Sequence, residues 1–258
     1  MDEKSGIQAP RIEWQAERLR VTSFPVETDQ PIGDDWWAQL TGEQPEKKVL
    51  HPRMNGYEEE GNYGGLGSLA LHVGLGRIDW HLTCFSAQEQ EKDILPMIGK
   101  FQDSLEFFSR LVLRWFDLPG CPDAKRLAFG AVLLSPVEDR TAGYKQLSEL
   151  LPCVEMDPES SSDFLYRINR PRQSKIIGNM KVNRLSNWSV SVWQPTALAV
   201  QPEKVTYLTG RQLFTCRVEL DINTSSDYDD RLKPEDQSRV FRELVELGRE
   251  IAANGDTA

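Results

Sequence analysis

The stretch SLALHVGLGRIDWHLTC, residues 68–84, decides the fold class. Leu69, Leu71 and Val73 alternate with shorter or polar residues, and so do Ile78, Trp80 and Leu82. Period-two alternation on both sides of Leu75-Gly76 predicts an antiparallel hairpin. Its two apolar rows share a face only if Val73 pairs with Ile78, Leu71 with Trp80 and Leu69 with Leu82. A slip of one residue turns one row outward. The same register sets His72 across from Asp79, with His81 two residues further along that face. A carboxylate holding one imidazole, with a second nearby, suits an oriented general base or part of a metal site. The preferred reading is a solvated cross-strand pair, since neither a nucleophile nor a third ligand is apparent. No catalytic residue is assigned, and His72, Asp79 and His81 are the candidates that the hairpin offers.

Outward from the hairpin, residues 11–24 are strand-compatible, and PIGDDWWAQLTG has helical spacing, with Asp34 and Asp35 suited to a first turn. Residues 42–67, rich in Gly, Glu and Pro, read as an exposed loop. Ile94, Ile98, Phe101, Leu105, Phe108, Val112 and Trp115 recur at three- and four-residue intervals and predict a long amphipathic helix over about 95–117. A second such helix is predicted over about 235–252, with Pro234 in its first turn. Between them, RLAFGAVLLSPV lacks alternation and reads as a strand covered on both faces, followed by a short helix. Further strands are expected in FLYRINR, MKVNRLSNWSVSVW and QLFTCRVELDINT.

The fold class is therefore α+β with a mostly antiparallel sheet. The halves echo each other: Pro25-Val26-Glu27 matches Pro136-Val137-Glu138, Trp37 to Leu40 matches Tyr144 to Leu147, and Arg77-Ile78-Asp79 matches Arg167-Ile168-Asn169. This predicts an internal duplication of a strand–helix–strands–helix unit, spanning 1–120 and 121–258.

Several function classes are set aside by what the sequence lacks. The net charge of −10 argues against wholesale wrapping of nucleic acid or anionic membrane. The amino-terminal residues lack an apolar signal core, and no apolar run reaches the length of a membrane span, so a cytoplasmic protein is expected. Cys84, Cys121, Cys153 and Cys216 show no metal-ligand spacing and read as reduced. Asp221 to Asp230 carries oxygen ligands at alternate positions, but Ser226 and Leu232 stand where a calcium loop needs Gly and Glu. No phosphate loop, nucleophile elbow or zinc-protease motif is present. No cofactor or metal is expected, and a non-catalytic role is preferred.

Charge is segregated. Phe164 to Pro202 contains no Asp or Glu but carries Arg167, Arg170, Arg172, Lys175, Lys181 and Arg184, while the remaining 24 basic and 40 acidic residues leave −16 elsewhere. Within it, Arg-Ile-Asn-Arg at 167–170 returns as Lys-Val-Asn-Arg at 181–184, with aromatics close by. Arginine beside aromatic rings suits an acidic protein partner, and alternatively nucleic acid or a nucleotide. The same arginines could instead neutralise the chain's own acids. Arg167, Arg170, Arg172, Lys181, Arg184 and Trp188 are the expected binding residues of a soluble binding or assembly protein. The oligomeric state carries no sequence signal.

Overall fold

The computed structural model of the protein describes residues 12–26, 35–85, 95–194, 196–201 and 204–256. In chain order its elements are β1 (Gln15–Pro25), α1 (Trp36–Thr41), β2 (Lys47–His51), β3 (Gly56–Tyr63), β4 (Gly67–Gly74), β5 (Arg77–Thr83), β6 (Gly99–Lys100) and α2 (Phe101–Phe116). There follow β7 (Ala124–Val137), α3 (Arg140–Leu150), β8 (Leu165–Asn169), β9 (Arg172–Gln173), β10 (Lys181–Trp193), β11 (Thr196–Gln201), β12 (Lys204–Thr209), β13 (Leu213–Thr224) and α4 (Pro234–Asn254). Nine strands lie side by side in the order β2-β3-β4-β5-β1-β7-β13-β10-β8. The short β6 and β9 attach to β1 and β10, while β11 and β12 form a separate ladder. All strand pairings are antiparallel.

The hairpin β4–β5 pairs Val73 with Ile78, Leu71 with Trp80 and Leu69 with Leu82. All six side chains are buried on one face, where burial of each large apolar group contributes about 1.5–3 kcal/mol. The helices cover that face alone. α2 packs on β1, and both α3 and α4 pack on β7, β10 and β13. Trp37 of α1 stacks on Trp80 with ring centroids 6.2 Å apart. The opposite face of the sheet carries no helix among the described residues.

The chain forms the sheet in two runs. After β1 come α1, the meander that ends in β5, and α2; after β7 come α3, the meander that ends in β13, and α4. In each run the last long strand returns beside the first, β5 to β1 and β13 to β7, and the runs join where β1 pairs with β7.

Three sequence expectations need correction. Residues 42–67 are not an open loop, because β2, a turn of 3₁₀ helix at Pro52–Met54 and β3 occupy most of them. The strand pattern was hidden because Glu59 takes an inward position. It is 2% exposed and paired with Lys48 at 2.8 Å. Secondly, α2 begins at Phe101 rather than near 95. Gly99 sits at φ +148°, outside helical geometry, and the Ile98 and Phe101 N–H groups donate to the carbonyls of Ala16 and Trp14 at 2.7 and 2.9 Å. The chain is thus tied to β1 before the helix can start. Thirdly, β7 has helices on one face only. Its other face holds Ala128, Val132 and Leu134, buried among the long polar side chains of neighbouring strands. The expectations placed on Glu27, Asp34 and Ile94 lie outside the described residues.

Candidate functional site

Successive strand residues point to opposite faces, so positions three apart never share one. That rule divides the basic segment. Arg167 and Lys181 lie on the helix-free face and are exposed, whereas Arg184 turns inward and is 2% exposed. Arg170, just past β8, also meets groups at the end of α4. The repeated motif is therefore split across the sheet instead of forming one cluster.

On the helix side the arginines meet the chain's own acids. Both oxygens of Asp256 accept from the Arg170 guanidinium, one of these contacts being 2.8 Å. The Tyr166 hydroxyl donates to the same carboxylate at 2.6 Å, and Cys153 Sγ lies 3.3 Å from it. Arg170 foremost among these partners holds the Asp256 carboxyl down to about 2. Glu250 lies 2.9 Å from Arg172 and 3.2 Å from Arg184. Burial lowers the pKa of Arg184, with the Arg172 charge adding to the shift. These cations sit at the C-terminal end of α4, which the helix dipole favours. Trp188 is fully buried, its ring 6.2 Å from Trp14 and its Nε1 donating to Ser186 Oγ at 2.9 Å. Four of the six expected binding residues thus face inward partners.

The hairpin candidates come together on the helix-free face, with His72 opposite Asp79. Asp79 is buried and accepts from Thr22 Oγ1 and from Nε and Nη2 of Arg77. His81 Nε2 stays 3.9 Å from Asp79, beyond hydrogen-bonding distance, and its ring is 5.2 Å from that of His72. The carboxylate is thus committed to Thr22 and Arg77 and orients neither imidazole. Among the described residues no three His, Cys, Asp or Glu side chains are placed to hold a metal ion.

His81 carries a pH signature nonetheless. Burial is the first cause that pushes its pKa down to about 4, and His72, Arg18 and Arg20 push the same way against Asp79. An unfolded histidine titrates near 6.5. Between these values the unfolded chain binds more protons, so this group's share of stability is complete above about pH 6.5. It declines as pH falls toward 4, by about 3 kcal/mol in all. Denaturant titrations at pH 7 and pH 4.5 are expected to show this loss, and His81→Gln should remove most of the difference. An unchanged pH difference in the variant would contradict it.

A concavity on this face crosses the middle of the sheet. One cross-strand row runs His81, Arg20, Gly130, Asp221, Leu185, and the next runs Arg18, Val132, Glu219, Asn187, Arg167. The central strand β7 presents only Gly130 and Val132 here, and a groove of about 300 Å³ opens over them, lined also by Arg18, Arg20, Arg167, Glu219 and Asp221. The Arg20 guanidinium lies over Gly130, its Nε 3.3 Å from where a Cβ would stand. That Nε is buried with no hydrogen-bond partner among the described residues. Arg18, Arg20, Arg167 and Lys181 make no ion pair among the described residues. Of the acids on this face, Glu219 pairs with Arg217, Asp221 accepts from Asn223 Nδ2 at 3.1 Å, and farther out on β3 Glu60 pairs with Lys47 at 3.7 Å and Glu58 lies 3.2 Å from His51.

Sequence reasoning missed Arg18, Arg20 and Gly130. The available signal was the alternation of Arg18, Arg20 and Thr22 with Leu19, Val21 and Ser23, together with one glycine inside a long strand. No protein-family model, curated protein or solved structure matches this chain.

Proposed function

We propose that the protein is a non-catalytic binding or assembly protein that engages an acidic protein partner through the helix-free face of its sheet. The observation that supports this is the charge arrangement of that face: its acids are mostly paired, while Arg18, Arg20, Arg167 and Lys181 make no ion pair among the described residues. Of the basic segment, Arg167 and Lys181 are the contact residues in this reading. Arg170, Arg172 and Arg184 anchor the end of α4, and Trp188 packs the core. Unpaired arginine is a frequent energetic centre of protein interfaces. A uniformly anionic nucleic-acid backbone suits the face less well, since Glu219 and Asp221 stand among its cations.

The duplication belongs to the same reading. In each run a strand, a helix, a meander returning beside the first strand, and a long helix follow in one order. The paired echoes Pro25 and Pro136 fall near the ends of β1 and β7. The third echo does not fit, because Arg77 lies on β5, beside β1, whereas Arg167 lies on the outermost strand, β8.

A photo-crosslinking residue placed at Asn187 tests the interface in cells. It is expected to give protein adducts whose linked peptides are acidic, with none from the same residue at Glu246 on the exposed side of α4. The double reversal Arg167→Glu/Lys181→Glu should lower adduct yield about tenfold, the equivalent of 1.4 kcal/mol. Adducts from the α4 position alone, or none from Asn187, would overturn the reading.

A further inference from the structure

We infer that the groove over Gly130 is a recognition site for an extended acidic peptide, taking two carboxylates on one side of the strand with a donor group between them. This rests on the partner reading above and names the chemistry of the segment bound. Guanidinium groups stand at both ends of the groove, Arg18 and Arg20 on β1 and Arg167 on β8, with Glu219 and Asp221 on the strand between. A ligand matching that order offers an acid, then an N–H donor, then a second acid. An extended chain with acidic residues at i and i+2 supplies it, since same-side positions are about 7 Å apart and backbone N–H groups lie between.

Three further observations mark this as a shaped site. Gly130 leaves the floor open where the Arg20 guanidinium lies, and a side chain there would crowd it. The buried Nε of Arg20 has no acceptor among the described residues, so the guanidinium is not tied down there, and a hydrogen bond from a charged donor such as its terminal nitrogens is among the more valuable contacts a ligand can make. The groove is also near the lower bound of ligand-pocket size, which suits a few residues of peptide more than a bulky cofactor.

The test is calorimetric titration of the full chain with capped peptides. Ala-Asp-Ala-Asp-Ala is expected to bind at least tenfold more tightly than the Asn-for-Asp version and the adjacent-acid isomer Ala-Asp-Asp-Ala-Ala. It should also outbind inorganic phosphate. Arg20→Gln and Arg167→Gln should each weaken the alternating peptide about tenfold, as should Gly130→Val, while Arg242→Gln on α4 should not. Circular dichroism and Tm of each variant separate a lost site from a lost fold. No preference for the alternating acids, equal binding of phosphate, or full affinity in both arginine variants would overturn the assignment. If crosslinks at Asn187 persist while the peptide fails to bind, only the groove assignment falls. If the peptide binds and the crosslinks are absent, the partner reading falls instead.

Discussion

Replacing Trp80 with alanine is expected to lower stability by about 4 kcal/mol, within the range for truncating a buried aromatic side chain. In a chain of this length that is a fall in Tm of roughly 8–16 °C. Trp80 is fully buried at the centre of a continuous set of rings. It stacks on Trp37 of α1 and meets Trp115 of α2 edge-on at 6.3 Å. Trp115 in turn touches Trp36 and Phe116, and Phe116 meets Phe241 of α4, which lies 6.2 Å from Phe129 of β7. The set therefore links the hairpin, three helices and the middle of the sheet. The indole Nε1 of Trp80 is buried without a hydrogen bond among the described residues, so the loss is one of packing. Trp80→Phe should accordingly retain more than half of the stability lost in the alanine variant. Guanidinium denaturation with tryptophan fluorescence measures both, and a cost under about 2 kcal/mol for Trp80→Ala would show that the cavity collapses.

The second large effect is expected from Asp256→Asn. The carboxylate is 3% exposed and is the shared acceptor for Arg170, Tyr166 and Cys153. The asparagine amide keeps the shape but cannot accept two charged donors, and it leaves Arg170 without its counter-charge. Breaking such a pair costs about 3 kcal/mol when the surviving cation is partly solvated, as Arg170 is. The pH dependence separates this from a packing defect. With a folded pKa of about 2 against an ordinary 3.8, Asp256 contributes stability that is fully present above about pH 4 and disappears as pH falls through 2. The wild-type chain should lose about 2 kcal/mol over that window on this account, and the Asn variant should lack that component. The residue is positioned by Gly255 at φ +72°, where an added Cβ would lie 1.9 Å from the Leu150 carbonyl oxygen. The Asp256 N–H then donates to that same oxygen at 3.0 Å.

What could be read from the sequence follows from how each signal is encoded. The β4–β5 register was legible because one apolar row on each strand must face the core, and only one alignment allows it. The strand β3 was illegible because Glu59 sits where an apolar residue would normally mark the inner face. The onset of α2 was misplaced because the apolar spacing begins upstream, while Gly99 and the pairing of Ala16 with Gly99 are what delay the helix. The basic segment was visible as composition, but composition says nothing of which face a residue takes. The spacing of three between Arg167 and Arg170, and between Lys181 and Arg184, put each pair on opposite sides. Arg18 and Arg20 escaped notice because their importance comes from Gly130 and β8, which meet them only once the strands are laid in order.

The junction of β1 with β7 has a consequence for how the molecule is made. Leu19 pairs with Ala131 and Val21 with Phe129, so the central seam unites segments far apart in the chain. Closing so long a loop carries a chain-entropy cost before the seam returns any stabilisation, and topologies dominated by such distant contacts fold slowly. During synthesis β1 has β5 on one flank and bare peptide groups on the other until β7 has been made. That half-sheet is the form most open to pairing with the wrong strand.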